Sequence, residues 1–506
     1  MMAGFDSGKY LEEQARAIME RVGKFGGRLY LEFGGKLCAD LHAARVLPGY
    51  DPKNKIKLLR MLDDVEIVYC VCAKDLQKGT VRQDLGLTYD NETLKTIDDL
   101  AEEGLRVSAV VITRFEGEAA AESFERKLKN LGERVFVQGE MKGYPKNIDH
   151  VVSDRGFGRQ TYVPVKGRII IVTGAGGGSG KMAFCLSQIY HERRKGLDSG
   201  FAKFETFPIW NLPLDHPVNI AYEAATANLF DEIMVDPFHE GAYGVKAVNY
   251  NRDIENFAIM KNVFDRISKG DNSAGQYKSP TDMGVNTASK GIVDDWACRR
   301  AAEQEIIRRH FRYKEEFLKG LHPRRTIDRM EEVLQKAGLK ETDRKVVPPA
   351  RMAAEQARTQ KNKGNKGIYS GSALELADGR IVTGKNSPLL HSESAVVLNA
   401  VKELAGIPDD VHLLSSEVIR QINDFKTKTL GEKSESLNLN ETLIALSVSA
   451  AKDEVARKAV ARLKDLKDCE MHTTHAPANG DYQALRKLKI NVTTDAIPLM
   501  KRHFVE

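Results

Sequence analysis

The chain has 506 residues, of which 42% are hydrophobic and 29% are charged, a balance typical of a folded protein with more than one domain. Its 76 basic and 71 acidic side chains give a net charge of +5 that is spread along the chain, so we expect no nucleic-acid-binding surface. No apolar run approaches the roughly 20 residues that a membrane helix needs, and the six cysteines form no C-x-x-C motif, which predicts reduced thiols in a cytoplasmic protein without membrane contact.

Seven largely apolar segments typical of strands follow a first amphipathic helix at residues 9–21. They cover residues 27–33, 65–73, 105–113, 133–140, 167–174, 202–209 and 231–236. Because these segments alternate with helical patterns, they predict a doubly wound, mostly parallel sheet covered by helices on both faces. The sequence therefore predicts an α/β domain over residues 1–255.

Helical patterns dominate the middle of the chain, which we assign to residues 256–345. Its long helix at residues 295–321 suits packing either within the chain or against a second copy in a homo-oligomer. The polar, basic stretch at residues 341–367 contains Pro348-Pro349 and indicates an exposed linker. A smaller α/β domain is predicted over residues 346–506, beginning with a hairpin that turns at Asp378-Gly379.

The segment VKGRIIIVTGAGGGSGKMAF at residues 165–184 has a strand, a glycine-rich loop and the start of a helix. In the phosphate-binding P-loop, this arrangement lets backbone N–H groups surround a phosphate while a lysine meets its charge. Gly180-Lys181 fits that pattern, whereas Ala175 replaces its first glycine and Met182 replaces the hydroxyl that holds magnesium. The residues expected to contact a phosphate are Gly176, Gly177, Gly178, Ser179, Gly180 and Lys181.

Two cofactors are compatible with this loop. ATP with Mg²⁺ would use Lys181 for catalysis and Asp236, at the end of an apolar strand, as a Walker-B-type metal-side carboxylate. NAD(P) would use Gly178, Gly180 and Ala183 as a dinucleotide turn. That alternative needs an acid after the next strand, where Glu205 is the only candidate.

Two further polar segments could complete a cleft around the loop. The turn at residues 30–52 offers Lys36 and Arg45 for substrate binding and His42 for catalysis. The segment after the strand at 202–209, which we expect to neighbour the glycine loop, offers Lys203, Glu205 and Asn211 as substrate-binding residues. Ligands bind at the carboxyl ends of parallel strands, so these segments are predicted to share one site with the loop.

The C-terminal segment contains half of a metal-site signature. His391 and Glu393 at a helix start match the first part of the zinc deaminase pattern H-x-E…P-C-x-x-C. The two cysteines of the second part are absent, since only Cys469 occurs in this region. We therefore expect a deaminase-like topology without zinc.

Several long motifs resemble a bacterial family catalogued as DUF1846, a domain of unknown function. They include YLEFGGKL, HAARVLPGYDP, GSGKMAFCLSQIYHE, DPFHEGAYG and LNLNETLIALSVSA, and the resemblance covers essentially the whole chain. It implies an α/β N-terminal part, a helical middle and a smaller α/β C-terminal part, and it implies no catalytic residue.

The loop favours an enzyme that binds ATP or another phosphorylated small molecule and carries out phosphoryl transfer or phosphoanhydride hydrolysis. An NAD(P)-dependent oxidoreductase and a non-enzymatic nucleotide or metabolite sensor are the alternatives.

Overall fold

The computed structural model describes residues 3–25, 28–82, 86–268 and 277–498, and the chain divides into two units, residues 1–302 and 303–506. The sequence predicts three domains, whereas this division has two units, so the predicted bounds of the three domains remain predictions. Gly27, where the first predicted strand begins, lies outside the described residues. None of the described helices combines the length and apolar character needed to cross a bilayer.

The strands of the N-terminal unit are β1 (Leu29–Phe33), β2 (Val65–Cys72), β3 (Val81–Arg82), β4 (Leu87–Thr88), β5 (Val107–Phe115), β6 (Val135–Gly139), β7 (Ile169–Gly174), β8 (Gly200–Phe204), β9 (Ile233–Val235), β10 (Val248–Tyr250) and β11 (Gly284–Val285). Its helices are α1 (Ser7–Lys24), α2 (Leu41–Val46), α3 (Asn54–Met61), α4 (Ala73–Lys78), α5 (Tyr89–Glu102), α6 (Ala119–Asn130), α7 (Ile148–Val151), α8 (Lys181–Arg194), α9 (Pro217–Ala225), α10 (Pro237–Tyr243), α11 (Asn251–Ser268) and α12 (Pro280–Met283), followed by α13 (Asp295–Leu318), which contains the division between the units.

Within the described residues, seven of these strands form one parallel sheet in the order β11-β8-β1-β7-β2-β5-β6. Its central strands are apolar on both faces: Ile169, Ile170, Ile171 and Val172 of β7 are fully buried. Burial on both faces is what a parallel sheet covered by helices requires, and it confirms the predicted α/β class. Since all seven strands run the same way, the loops that follow them meet at one edge.

Two expectations about strand neighbours are wrong. β8 pairs with β1 and β11, so the neighbours of β7, which precedes the glycine loop, are β1 and β2. The segment at residues 231–236 contains only the short strand β9, which pairs antiparallel with β10 in a separate two-stranded sheet. A three-residue strand has too few hydrogen bonds to determine its own partner, so tertiary packing decides it.

The C-terminal unit contains α14 (Arg324–Lys336), α15 (Val347–Thr359), β12 (Gly371–Glu375), β13 (Ile381–Lys385), α16 (Ser392–Ala405), α17 (Ser416–Asp424), α18 (Leu439–Ala450), α19 (Glu454–Arg462), β14 (Glu470–His475), α20 (Asn479–Lys487) and β15 (Asn491–Ile497). Among the described residues its mixed sheet has the order β13-β12-β14-β15, in which β14 and β15 are parallel and the other two pairs are antiparallel. The predicted hairpin is present as β12 and β13.

The predicted linker at residues 341–367 is wrong, because its centre folds as α15. Pro348 and Pro349 lie in the first turn of this helix, where a missing N–H costs no hydrogen bond. Val347, Ala350 and Ala353 are buried, so one face of the helix belongs to the core of the C-terminal unit.

Candidate functional site

A cavity of about 310 Å³ lies at the carboxyl edge of the parallel sheet, beside the glycine loop. Its walls come from the ends of β1, β5 and β6, from the start of α8 and from the segments around residues 141–144 and 160. The lining residues are Glu32, Thr113, Arg114, Gln138, Gly139, Glu140, Met141, Tyr144, Gln160, Gly178, Ser179, Gly180, Lys181, Met182 and Ala183. The structure therefore brings the second half of the predicted loop into a cavity of ligand size.

The conformation of the loop depends on glycine at two positions. Gly178 and Gly180 have φ angles of +77° and +81°, a region that other residues rarely adopt. A Cβ atom on Gly180 would lie only 2.7 Å from Thr113 Oγ1. Thr113 in turn donates a hydrogen bond of 2.8 Å to the carbonyl oxygen of Ser179 and so fixes the loop against the end of β5.

The first turn of α8 faces this cavity without a side-chain cap. Its N-cap residue is Gly180, which has no side chain to accept the free N–H groups, and no acidic residue lies in the first turn. Lys181, also in this turn, is half-buried, and its Nζ makes only long contacts of 3.3 Å to the carbonyl oxygen of Gly176 and 3.4 Å to Ser179 Oγ. Among the described residues, no carboxylate forms an ion pair with Lys181, so positive charge at this end is uncompensated.

Two residues that line the same cavity each carry a buried side-chain oxygen without a hydrogen-bond partner among the described residues. These oxygens are Glu32 Oε2 and Gln160 Oε1. The amide nitrogen of Gln160 donates to the carbonyl oxygen of Gly139 at 3.3 Å, which determines the orientation of the amide. A buried acceptor without a partner is costly, and a ligand that donates hydrogen bonds would satisfy both oxygens.

Paired charges lie at the end of β5. Arg114, whose φ of +57° is unusual for a side chain of this size, donates from Nε to Glu140 Oε2 at 2.9 Å. The Lys74 ammonium lies 3.1 Å from the same carboxylate. Burial would raise the pKa of Glu140, but Arg114 and Lys74 outweigh burial and lower it. Glu140 is therefore neutralised by two cations, in contrast to Glu32.

Asp236 is not brought together with the loop. It is fully buried as the N-cap of α10, where Oδ1 accepts from the N–H groups of Phe238 and His239 at 3.0 and 3.1 Å. Its other oxygen accepts from the hydroxyl and N–H groups of Thr281 at 2.7 and 3.2 Å. Asp236 does not line the 310 Å³ cavity, and its side chain is engaged in holding this helix start.

Lys203 and Glu205 line a second, much smaller cavity of about 30 Å³, room for about one water molecule. Lys203 Nζ forms an ion pair of 2.6 Å with Asp253. Burial raises the pKa of the Glu205 carboxyl to about 8; the Lys203 ammonium opposes this shift, while Asp253 and Glu32 add to it. Because β1 separates β8 from β7, Glu205 does not follow the strand next to the glycine loop, and the NAD(P) alternative receives less support.

The remaining predicted residues do not line the cavity at the loop. His42 lies on α2 against the rings of Phe207 and Tyr222, with ring centroids 5.3 and 5.7 Å away. Lys36 and Arg45 are half-buried, and Asn211 is exposed. Gly176 and Gly177 belong to the loop but not to the cavity wall.

Sequence reasoning missed Glu32, Thr113, Arg114, Tyr144 and Gln160. One of them had a readable signal: Glu32 is the only charged residue of β1, LYLEF, and a charge inside an otherwise apolar strand of a parallel sheet often marks a site. The others become neighbours of the loop only through the strand order.

The chain is similar to known proteins over nearly its whole length. The family model described as "Domain of unknown function DUF1846, N-terminal" matches residues 3–338, and its C-terminal counterpart matches residues 342–503. A UPF0371 protein of Clostridium tetani (strain Massachusetts / E88) is 48% identical over 496 residues, covering 98% of each chain. UPF0371 proteins of Clostridium botulinum strains 657 and Eklund 17B show the same identity and coverage. The chain therefore belongs to the DUF1846 family, as its sequence motifs predict.

Proposed function

We propose that the N-terminal unit is an enzyme that binds a phosphorylated small molecule carrying hydroxyl or amino groups, with ATP as the first compound to test. This proposal rests on one cavity whose lining residues supply both positive charge and unpartnered hydrogen-bond acceptors. The positive charge comes from the uncapped start of α8 and from Lys181. The acceptors are the unpartnered oxygens of Glu32 and Gln160.

The phosphate would bind at the start of α8. The free N–H groups of the first turn and the positive end of the helix dipole both favour an anion there. Lys181 would exchange its two long contacts within the loop for a charge-assisted hydrogen bond to a phosphate oxygen. The rest of the ligand would donate a hydrogen bond to Gln160 Oε1, as a ribose hydroxyl can.

Glu32 takes the place that we predicted for Asp236. Its strand β1 is the direct neighbour of β7. The described residues that line the cavity include two carboxylates, Glu32 and Glu140, and of these Glu32 has no ion pair. Met182 offers no hydroxyl to a magnesium ion, so Glu32 is the residue that would hold Mg²⁺ beside a bound nucleotide. Magnesium would supply charge stabilisation for phosphoryl transfer or phosphoanhydride hydrolysis.

The proposal is tested by calorimetric titration of the full chain with ATP, with and without Mg²⁺, and with a panel of sugar phosphates. Lys181→Ala is expected to weaken binding about 10- to 100-fold, the range for losing a hydrogen bond to a charged group. Lys127→Ala, which removes an exposed lysine from α6, is the matched control and should leave binding unchanged.

Absence of affinity for every phosphorylated compound, or equal affinity of the Lys181→Ala variant, would refute the proposal. Phosphate release or transfer in the same samples distinguishes an enzyme from a sensor, because a sensor binds without turnover.

A further inference from the structure

Three potential metal-binding side chains converge in the C-terminal unit. His391, Glu393 and Asp481 each offer one donor atom, and these atoms all lie within 4.8 Å of one another. The nitrogen and oxygen donors of a tetrahedral zinc ion lie about 3.3 Å apart, so a shift of about 1 Å in the side chains would bring these atoms to one ion. This cluster is independent of the proposed phosphate site, which lies in the N-terminal unit.

Two helix starts hold the three side chains. His391 is the N-cap of α16 and Glu393 lies in its first turn, whereas Asp481 lies in the first turn of α20. His391 Nδ1 and Asp481 Oδ2 are 2.7 Å apart. The N–H of Leu439 donates to Asp481 Oδ1 at 2.7 Å, and Thr473 and Ser392 donate to the two oxygens of Glu393 at 2.8 and 3.0 Å. The donor atoms are therefore positioned by bonds that leave further lone pairs on each oxygen.

Among the described residues, no lysine or arginine forms an ion pair with the two carboxylates of this cluster, and Asp481 pairs with the His391 imidazole alone. Glu393 and Asp481 are 4% and 0% exposed, so two carboxylates share a site that is largely shielded from water. Their hydroxyl and N–H donors are neutral, and the nearby ammonium of Lys426 bonds to Glu441 at 2.8 Å instead. With a neutral imidazole the cluster carries a charge of −2, which a divalent cation would cancel.

Asp481 also supplies the donor that the sequence pattern lacked. In H-x-E…P-C-x-x-C, the last cysteine lies four positions after the proline. Here Pro477 is followed by Ala478, Asn479, Gly480 and Asp481, so a carboxylate stands at the position of that last cysteine. Ala478 stands at the position of the first cysteine and cannot bind a metal. The cluster therefore offers three protein donors, from His391, Glu393 and Asp481.

We propose that His391, Glu393 and Asp481 bind one divalent first-row transition metal ion. A set of one imidazole and two carboxylates without thiolate suits Zn²⁺ or Mn²⁺. The ion would bind His391 Nδ1 in place of the contact with Asp481, and the neutral imidazole would keep its proton on Nε2. The His391 side chain is 23% exposed, so this edge of the cluster is the one that solvent reaches.

The test uses untagged full-length protein, freed of metal with a chelator and titrated with Zn²⁺ by calorimetry. One site per chain is expected in the parent. Asp481→Asn, which can still accept the Leu439 N–H, and His391→Ala should each weaken Zn²⁺ binding at least about 10-fold. His412→Ala removes an exposed imidazole of the same unit and should have no effect.

Thermal unfolding without metal shows whether each variant folds, and Zn²⁺ should raise the melting temperature of the parent but not of folded Asp481→Asn. Co²⁺ provides a second readout, because its absorption spectrum distinguishes nitrogen and oxygen ligands from the six cysteine thiols of the chain. No stoichiometric Zn²⁺ in the parent, unchanged affinity in both variants, or a thiolate-to-Co²⁺ band would each overturn the proposal.

Discussion

The Thr113 hydroxyl donates a buried hydrogen bond of 2.8 Å to the carbonyl oxygen of Ser179, which joins the end of β5 to the glycine loop. Both residues line the 310 Å³ cavity, so this bond holds the loop in the shape that exposes the start of α8. Both tryptophans, Trp210 and Trp296, lie in the N-terminal unit, so their fluorescence reports the unfolding of that unit.

Thr113→Val should lower the free energy of unfolding of the N-terminal unit by about 1–3 kcal/mol, because it leaves the buried Ser179 carbonyl without a donor. Urea unfolding followed by tryptophan fluorescence measures this change. Thr161→Val is the matched control, since its hydroxyl also donates to a carbonyl oxygen but is exposed, and water can replace it. Equal effects of the two substitutions would contradict the assigned role of Thr113.

Gly180→Ala should destabilise the N-terminal unit by about 2 kcal/mol and abolish phosphate binding. The left-handed backbone costs alanine about 1–2 kcal/mol, and its Cβ would press on Thr113. Gly177→Ala in the same loop has open space around its Cβ and no positive φ, so we expect a change below about 1 kcal/mol. Fluorescence-detected unfolding and ATP titration of both variants check this contrast, and similar losses in both would refute it.

Glu205 should make the N-terminal unit less stable as pH rises. Its folded pKa of about 8 exceeds the ordinary value of 4.5, so the folded state holds a proton that the unfolded state releases between these values. The free energy of unfolding therefore falls as pH increases through that window. Glu205→Gln cannot ionise and should flatten the profile, whereas the exposed Glu122→Gln on α6 should retain it. Parallel profiles for parent and Glu205→Gln between pH 5 and 8 would show that Glu205 does not cause the slope.

Glu32→Gln should separate the binding of nucleotide from the binding of magnesium. We expect the variant to bind ATP without Mg²⁺ at least as tightly as the parent, because a negative charge near the phosphates is removed. The gain in affinity that Mg²⁺ gives the parent should fall about 10-fold or more in the variant. Titrations with and without Mg²⁺ measure both values, and an unchanged magnesium effect would exclude Glu32 as the metal-side residue.

The sequence predicts most of the sheet and the loop because their signals are local. The apolar run of β7 and the glycines after it indicate a strand, a turn and a helix start regardless of what packs around them. The hairpin of β12 and β13 is predicted for the same reason. These elements account for the correct fold class.

The walls of the cavity could not be predicted in this way, because they depend on strand order. Glu32 and Val172 are register partners on adjacent strands although 140 positions separate them in the chain. Asp236 looked like a metal ligand because a local pattern cannot reveal that β9 belongs to another sheet. Asp481 was overlooked because the zinc deaminase pattern has a cysteine at its position. Only the fold shows that this carboxylate lies beside His391.

The order of the sheet also sets the earliest moment at which the N-terminal unit can form during synthesis. The two partners of β1 are β7 and β8, both of which follow it by more than a hundred positions. A nascent chain that ends before Ile169 therefore has β1 without either neighbour and β2 with β5 alone. Unpaired strand edges invite association with other chains, so truncated forms ending ahead of the glycine loop should depend on chaperones more than the complete unit does.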